Sequence, residues 1–396
     1  MNDLDNESVA SGNGGRSFAS HIGRAAASID CAAIFDAADK VASELLSRPE
    51  FAGRDRYIMA GSGDSLFAAR STVPAIKRWS GMDFEVLTSI EFSRYELDFA
   101  PDRTVLIAVS NSGSSTRTRE SVHLAKACGI PALGIVGSLN GPLAEMADLI
   151  LHRPVALGED KPEWAPRLYL NMIEYVGALI AMYGLGLALG ERNGRLSAED
   201  AATKREAITR AVEAIGHGGE IAEPLCDRLL DEAGDLDTIW IIGAGPNAGT
   251  AEYSAAKFHE QVPINGIPQD LEEWAHLQYF LTLELDKPAT VLVLGPQGRS
   301  FDRAAEMLTG IRNAGGRGIL VTNSGDEEAA PDAALRITMP LVEDEYLTPI
   351  TFHLPAQIIA MHLAHRRGVA QTPRTRRDDY WLIRKGDMIT DPAKLR

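Results

Sequence analysis

Basic residues are scarce in this chain of 396 residues, and their scarcity excludes one large class of partner. Lysine and arginine together number 39, against 55 aspartates and glutamates, so the formal net charge is −16. A protein that grips the phosphates of duplex nucleic acid needs a basic surface. We therefore expect no nucleic-acid partner.

Cysteine is rarer still, and a secretory leader is missing from the start of the sequence. Cys31, Cys128 and Cys226 lie far apart and form no CxxC pair, so neither a disulfide framework nor a zinc ribbon is expected. The first ten residues, MNDLDNESVA, are acidic and polar, whereas a secretory signal is basic and then apolar. These features favour a cytoplasmic protein.

Long apolar runs are also few, and only residues 168–189 could span a bilayer by length. Asn171 and Glu174 interrupt the first half of this run, and no cluster of lysine or arginine flanks it. We expect a helix buried inside a soluble protein and no membrane partner.

Short apolar runs alternate with glycine turns and helical stretches along the first half of the chain. RYIMA, GSGDS and LFAARSTVPAIKRW read as strand, turn and helix, and FEVLTS, TVLIAVS, PALGIVG and DLILH continue the pattern. Apolar runs of this length are typical of strands buried in a parallel sheet. The predicted fold class is α/β, with a doubly wound parallel sheet.

The whole pattern begins again with TIWII and GAGPN, which indicates an internal duplication. Gly61 corresponds to Gly243, Ser110 to Gly295, and the strand near Leu133 to that near Ile319, at offsets of roughly 180 to 190 residues. We predict two tandem doubly wound domains. The expected boundaries are an N-terminal arm and helix over 1–44, loosely held to about residue 24, a first domain over 45–195, a helical linker over 196–234, a second domain over 235–370 and a tail over 371–396.

Two loops rich in glycine and hydroxyl groups follow the first and third predicted strands. Parallel sheets of this kind bind ligands outside the carboxyl ends of their strands, where both loops would lie. Hydroxyls and backbone N–H groups at a helix N-terminus suit a compact tetrahedral anion such as phosphate. The alternative is that the serines only cap helices and form turns. The candidate binding residues are Gly63, Asp64, Ser65, Ser110, Asn111, Ser112 and Ser115.

Neither a dinucleotide cofactor nor a metal is expected. The sixth position of the two GxGxxG-like segments is Leu66 or Ala248, and the second segment also contains a proline. Two motifs have the spacing of metal ligands, ExxH at 273–276 and HxxH at 362–365. Each lacks the further ligands that a metal site needs. No GxSxG elbow marks a serine hydrolase.

The second half offers acid–base chemistry. Lys257 and Glu260 are three positions apart and share one face of a predicted helix, and His276 follows sixteen residues later. The plain interpretation is a surface ion pair and a packed histidine. Brought to one anion-binding cleft, these groups would suit proton transfer at a carbonyl, with Glu260 as base and His276 as acid and base on oxygen.

Over roughly residues 45 to 375 these motifs resemble the sugar isomerase (SIS) domain family, including the isomerase half of glucosamine-6-phosphate synthase and stand-alone amino-sugar phosphate isomerases and deaminases. The family's GCGTSY loop corresponds to GSGDSL here, with Ser65 at the substrate-contacting serine, and its SQSGET phosphate loop corresponds to SNSGSS over 110–115. The family's KxxE falls on Lys257 and Glu260, and its later histidine falls on His276.

The resemblance implies an aldose–ketose isomerase of a phosphorylated hexose or amino hexose. In such an enzyme the glutamate moves a proton between C1 and C2 through an enediol or enolamine, and the histidine assists ring opening. The histidine reaches the site from the neighbouring subunit, so the resemblance also implies a homodimer with a shared active site.

Three departures from the family pattern limit what is carried over. The chain begins Met-Asn-Asp, without the N-terminal cysteine of a glutaminase domain, so glutamine-dependent transfer is not expected. Asp378 or Asp379 stands where the family tail has a lysine that forms a Schiff base. The sugar-contacting VAST segment is replaced by KPEWAPRL, whose Trp164 and Arg167 would reshape the pocket.

Other functions fit the same residues. An amino-sugar phosphate deaminase or a fructosamine-phosphate deglycase would use the same cleft, and a sulfonate could replace phosphate. A non-catalytic sugar-phosphate sensor is a further alternative, although no basic helix-turn-helix precedes residue 45.

Overall fold

The computed structural model describes residues 18–99, 102–154, 166–369 and 386–395. Within these ranges ten strands form two separate five-stranded sheets. Every strand pair in both sheets is parallel. The predicted α/β class and its duplication are both confirmed.

The first sheet has the order β2-β1-β3-β4-β5. Its central strands are buried along almost their whole length, because helices cover both faces. The strand order reverses between β1 and β3, so a crevice opens beyond the carboxyl ends of these two strands. The strands are β1 Arg56–Gly61, β2 Asp83–Thr88, β3 Thr104–Ser110, β4 Ala132–Val136 and β5 Leu149–His152.

The second sheet repeats this topology, with the order β7-β6-β8-β9-β10. Here the reversal falls between β6 and β8, which occupy the positions of β1 and β3. The strands are β6 Thr238–Gly243, β7 Asn265–Asp270, β8 Thr290–Leu294, β9 Arg317–Thr322 and β10 Leu335–Thr338.

Helices surround both sheets. The α-helices in the described ranges are α1 Phe18–Ala27, α2 Cys31–Ser47, α3 Asp64–Ser80, α4 Ser89–Glu91, α5 Thr116–Ala127, α6 Pro142–Met146, α7 Pro166–Arg192, α8 Ala198–Ala233, α9 Pro246–Gln261, α10 Glu273–His276, α11 Gln278–Leu283, α12 Phe301–Asn313, α13 Pro349–Phe352 and α14 Leu354–Arg366. A π-helical turn covers Phe92–Glu96, and 3₁₀ turns cover Glu327–Ala329, Glu345–Leu347 and Pro392–Leu395.

Helix α1 begins within the segment that the sequence predicted to be a loose arm. Its Ala19 and Ile22 are buried, and the helix packs on α8. The Glu223 carboxylate on α8 accepts hydrogen bonds from the backbone N–H groups of Phe18 and Ala19, at 2.9 and 3.2 Å. This pairing suits the electropositive start of a helix and holds α1 in place.

Helix α7 contains the apolar run that is long enough to cross a membrane. Over Met172–Arg192 the run has a mean hydropathy of 1.7, and 94% of the window is buried inside the protein. The helix packs between α2 and α3. It is therefore a core helix of the fold.

The two sheet domains meet through α3 and α9, the first helix of each. Gly249 on α9 allows the close approach, because a Cβ there would lie 2.6 Å from the Phe67 carbonyl oxygen and the Ser71 backbone nitrogen. Behind this contact the rings of Tyr175 and Tyr253 stack with centroids 3.7 Å apart. The contact brings Lys257 of α9 to Asp64, at the start of α3.

Candidate active site

The two predicted binding loops meet at the switch point of the first sheet. One follows β1, where Gly63 has a φ of +59° and α3 begins at Asp64. The other follows β3, which ends at Ser110, and turns through Gly113 at φ +65° into Ser115, the N-cap of α5. Both glycines occupy the left-handed region that other residues avoid, so these turns require glycine.

A chain of hydroxyl groups joins the two loops. Ser62 Oγ donates to Ser89 Oγ at 3.4 Å, Ser89 Oγ lies 3.0 Å from Thr118 Oγ1, and Thr118 donates to Ser115 Oγ at 3.2 Å. If each hydroxyl donates to the next, from Ser62 to Ser115, then the hydroxyl hydrogen of Ser115 is not used by the other three hydroxyl groups. It is available to a ligand at the start of α5.

The second loop has the features of an anion site. Ser112 and Ser114 are exposed, with their hydroxyl oxygens 2.7 Å apart. No side chain of the described residues caps the first turn of α5, so its backbone N–H groups face the loop. A tetrahedral anion placed here would meet hydroxyls, amides and the positive end of the helix.

Lys257 is buried, so the pair with Glu260 is not a surface ion pair. Its ammonium lies 2.9 Å from Glu260 Oε2 and 2.9 and 3.0 Å from the two Asp64 carboxylate oxygens. The side chain has no solvent exposure and lies 4.4 Å from the centroid of the Tyr253 ring. Two carboxylates and an aromatic face therefore surround one ammonium.

Burial and charge act against each other in this cluster. Burial raises the pKa of Asp64, and the neighbouring Glu260 charge adds to the rise against the opposing effect of Lys257. Burial alone would lower the pKa of Lys257, but the two carboxylates outweigh it and raise the pKa above its ordinary value. Lys257 is thus an ammonium that orients Glu260, rather than a neutral amine.

The remaining predicted loop residues also lie at this edge. Ser65 is a half-buried residue in the first turn of α3. Asn111 turns inwards, and its Oδ1 accepts a hydrogen bond of 2.6 Å from Arg153 Nη2. Gly137 makes room for it, because a Cβ there would come within 2.0 Å of that oxygen.

Sequence reasoning missed Arg153 and took Glu174 only as an interruption of an apolar run. Arg153 directly follows β5 and is only 1% exposed, and burial lowers its pKa to about 10. Glu174 lies on α7, and burial raises its pKa against the opposing effect of the Arg153 charge. Two signals in the sequence could have identified them. Arg153 is a charged residue directly after a buried strand, and Glu174 is a charged residue inside an apolar helix.

His276 lies apart from this cluster within the described chain. Its side chain is 63% exposed, and Nε2 lies 3.3 Å from Glu272 Oε1. Glu272 also accepts a hydrogen bond of 2.6 Å from Arg303 Nε. Exposed apolar residues follow the histidine on both sides of α11 and on the helix itself: Leu277, Phe280, Leu281, Leu283 and Leu285.

Some of the residues discussed above fall outside what the structure describes. These are Trp164, the side chain of Arg167, and Asp378 and Asp379 in the tail. Among the described residues, no group of three or more His, Cys, Asp or Glu is arranged to hold a metal ion.

Fold and site together define a two-domain α/β protein in which a serine-rich loop and a buried lysine–carboxylate cluster lie at the carboxyl edge of the first sheet. A comparison with family models agrees with this class: the model described as "SIS domain" matches residues 50–159 and 235–366, more than half of the chain. The chain belongs to the SIS domain family.

Curated relatives point to the same part of the family. The chain is 28% identical over 321 residues to the glutamine–fructose-6-phosphate aminotransferase [isomerizing] of Thermococcus kodakarensis, covering 81% of this chain and 50% of the relative. The enzyme of the same name from Pyrococcus horikoshii is 27% identical over 316 residues, covering 79% and 49%. The chain spans about half the length of these curated relatives.

Solved structures share the fold. The C-terminal domain of glucosamine-fructose-6-phosphate aminotransferase from Francisella tularensis superposes with a TM-score of 0.72 at 16% identity, covering 90% of this chain and 98% of that one. Tagatose-6-phosphate ketose/aldose isomerase from Escherichia coli gives 0.65 at 18% identity, covering 90% and 95%. The chain is thus a two-domain SIS protein that is similar in sequence to about half of each of these aminotransferases and shares its fold with the two solved structures.

Proposed function

We propose that the protein is an aldose–ketose isomerase that acts on a phosphorylated hexose or amino hexose. One observation carries the proposal: an anion loop and a buried ammonium–carboxylate cluster lie at one switch-point crevice, with Asp64 next to the first loop and bonded to Lys257. The names of the relatives, an isomerizing fructose-6-phosphate aminotransferase and a ketose/aldose isomerase, indicate the same substrate class.

The phosphate group binds the loop over 110–115. Ser112 and Ser115 donate hydroxyl hydrogen bonds, and the backbone N–H groups at the start of α5 donate the rest. Ser65, from the other loop of the same crevice, contacts the sugar. The phosphate thus fixes one end of an open-chain substrate and leaves its carbonyl end near α9.

Glu260 moves the proton. Its side chain is 40% exposed, so a substrate reaches it, while Lys257 fixes one carboxylate oxygen at 2.9 Å. Glu260 removes a proton from C1 of the ketose, and the electron pair forms a C1–C2 double bond as the C2 oxygen gains a proton. Glu260 then returns its proton to C2, the C1 oxygen loses one, and the aldose results.

His276 acts from a second copy of the chain. Its exposed side chain is followed in the chain by the exposed apolar residues on and beside α11, here called the α11 patch, the kind of surface that a stable protein–protein contact covers. The equivalent segment of the first domain, after edge strand β2, exposes Ile90, Tyr95 and Phe99. In a symmetric homodimer, the α11 patch of each subunit would pack against the segment after β2 of its partner. This arrangement is closed, and it would carry each His276 towards the partner subunit.

Product analysis tests the proposal. The purified protein is incubated with a panel of ketose and amino-sugar 6-phosphates, and new sugar phosphates, ammonia and amino acids are measured. We expect a new aldose phosphate without ammonia. Ammonia release would assign a deaminase instead, amino-acid release a deglycase, and saturable binding without turnover a sensor. We also assign the enzyme to the cytoplasm, on the scarcity and wide spacing of its cysteines.

A further inference from the structure

Arg153 is a buried cation, and within the described chain only one of its three guanidinium nitrogens is hydrogen-bonded. Only 1% of the residue is exposed, and its Nε and Nη1 have no hydrogen-bond partner among the described residues. Within the described chain this guanidinium has lost water without gaining a full set of hydrogen-bond acceptors, which is costly for a buried cation. Such a group is therefore a candidate for a role in the site that it adjoins.

The contacts of Arg153 lead directly to the phosphate loop. Its Nη2 donates to Asn111 Oδ1 at 2.6 Å, and Asn111 is the second residue of the loop. Glu174 on α7 lies close enough for its charge to interact with that of Arg153. The hydrogen bond from the buried Arg153 fixes the orientation of the Asn111 side chain.

The charges around the crevice make this cation important. Asp64, Glu174 and Glu260 are three carboxylates, and Lys257 and Arg153 are the two cations that neighbour them. Lys257 is already shared by Asp64 and Glu260. Without Arg153, the negative charge of Glu174 would lose its main opposing positive charge, and it would repel a phosphate dianion that approaches the serine loop.

We propose that Arg153 is the positioning residue of the phosphate loop. It holds Asn111 in place and supplies the buried positive charge that offsets Glu174 and the bound phosphate. Asn111 then contributes to the loop through its backbone, whose conformation is fixed, while its side chain remains hydrogen-bonded inside the protein. This inference rests on the proposed function, because it assigns a role within the same phosphate site.

The proposal predicts opposite effects for the two charged partners. Arg153→Met removes the cation and weakens phosphate binding, whereas Glu174→Gln removes the competing anion and strengthens it. Arg153→Lys keeps the charge without the fork that reaches Asn111, so it retains part of the affinity. The double variant Arg153→Met/Glu174→Gln restores the balance of charge and recovers part of the loss.

Binding of inorganic phosphate tests these expectations. Calorimetric titration at fixed ionic strength is carried out on the wild type, the four variants and the control Arg103→Met, which removes an exposed arginine paired with Asp55. We expect Arg153→Met to lose about tenfold or more in affinity, Glu174→Gln to gain, and the control to match the wild type. In turnover assays Arg153→Met should raise KM more than it lowers kcat.

The outcomes separate this inference from the proposed function. A wild type that binds neither inorganic phosphate nor a sugar 6-phosphate overturns the phosphate loop and the inference with it. A wild type that binds, with Arg153→Met and Glu174→Gln both unchanged, overturns the inference alone. If Arg153→Met does not fold, Glu174→Gln decides: tighter phosphate binding supports the proposal, and unchanged or weaker binding contradicts it.

Discussion

The ammonium of Lys257 lies 2.9 Å from the Asp64 carboxylate, although 193 positions separate the two residues. Asp64 begins the first helix of the first sheet domain, and Lys257 lies on the first helix of the second. The bond thus crosses the contact between α3 and α9. The candidate site forms only when both halves of the duplicated fold come together.

Removing the buried ammonium should destabilise the protein. In Lys257→Met, Asp64 and Glu260 would face each other without their shared partner, and breaking a buried ion pair in this way costs about 3–5 kcal/mol of the free energy of unfolding. Urea denaturation measures the loss. The control Arg103→Met removes an exposed pair with Asp55, for which we expect about 1 kcal/mol or less. Equal stability of the two variants would contradict the cluster.

Relief of charge provides a second check on the same cluster. Asp64→Asn added to Lys257→Met removes one of the two stranded carboxylates, so the double variant should be more stable than Lys257→Met alone. A double variant whose loss equals the sum of the two single losses would show that the residues act independently.

Much of this arrangement could be predicted from the sequence, because it depends on local patterns. The glycine turns, the serine loop and the KxxE spacing each lie within a few residues of one another, and the duplicated order of strands places both loops at one edge. The partnership of Asp64 with Lys257 could not be predicted in this way. It depends on how two helices from distant parts of the chain pack.

Assembly of a shared site can be tested by mixing inactive variants. Glu260→Gln and His276→Asn should each be inactive as homodimers, while a mixed dimer has one site with both residues intact. Subunits mixed at random should therefore recover about one quarter of the wild-type activity, since half of the dimers are mixed and half of their sites are intact. No recovery after verified subunit exchange would place His276 and Glu260 of one chain in the same site.

His353 should make stability depend on pH. It is fully buried, with Nδ1 2.9 Å from Gln357 Oε1 and Nε2 3.1 Å from the Ile350 carbonyl oxygen, and burial lowers its pKa from 6.5 to about 4. The folded state keeps the imidazole neutral, whereas the unfolded chain takes up a proton below pH 6.5. Its contribution to stability is present above pH 6.5 and is lost as the pH falls to 4, by about 3 kcal/mol in total.

Unfolding free energies at several pH values isolate this contribution. The difference between wild type and His353→Gln should shrink from pH 7 to pH 4, because only the wild type loses the neutral imidazole. His217→Gln, which changes an exposed histidine, should track the wild type throughout. A constant difference for His353→Gln would mean that this imidazole is not held neutral in the fold.

Residues 386–389 are anchored on α5, the helix that follows the serine loop over 110–115. Glu120 on α5 is fully buried and accepts hydrogen bonds from Arg94, Arg117 and the backbone N–H of Ile389, the last at 2.8 Å. Arg117 also donates to the carbonyl oxygens of Gly386 and Asp387, at 2.9 and 2.7 Å. The sequence indicated a C-terminal tail over 371–396, but it could not show where this tail packs.

Loss of this carboxylate should release the tail. Glu120→Gln removes the charge that three donors share, and we expect about 2 kcal/mol of destabilisation together with faster amide exchange over 386–395. Hydrogen–deuterium exchange with mass spectrometry measures the second effect. Glu145→Gln, at an exposed position on α6, is the control. Unchanged exchange over 386–395 would show that the anchor does not depend on Glu120.

Strand β7 and helix α1 were not predicted from the sequence, each for a physical reason. Strand β7 has the sequence NGIPQD, where a proline and polar residues hide the alternation of a strand, and only its position at the sheet edge tolerates them. Helix α1 has four alanines and one glycine among its ten residues, and it packs against α8. At Gly23 a Cβ would lie 3.1 Å from the Cα of Gly216 on α8, so small residues allow the contact.

The central claim is that Glu260 carries a proton between C1 and C2 of a bound sugar phosphate. Proton NMR in deuterium oxide tests it directly, with the best substrate of the panel and the variants Glu260→Gln and Glu306→Gln, the latter at an exposed surface position. We predict deuterium at C1 and C2 with the wild type and with Glu306→Gln, and exchange slowed by about 10²–10⁴-fold in Glu260→Gln that still binds the sugar phosphate. Undiminished exchange in Glu260→Gln would contradict the account.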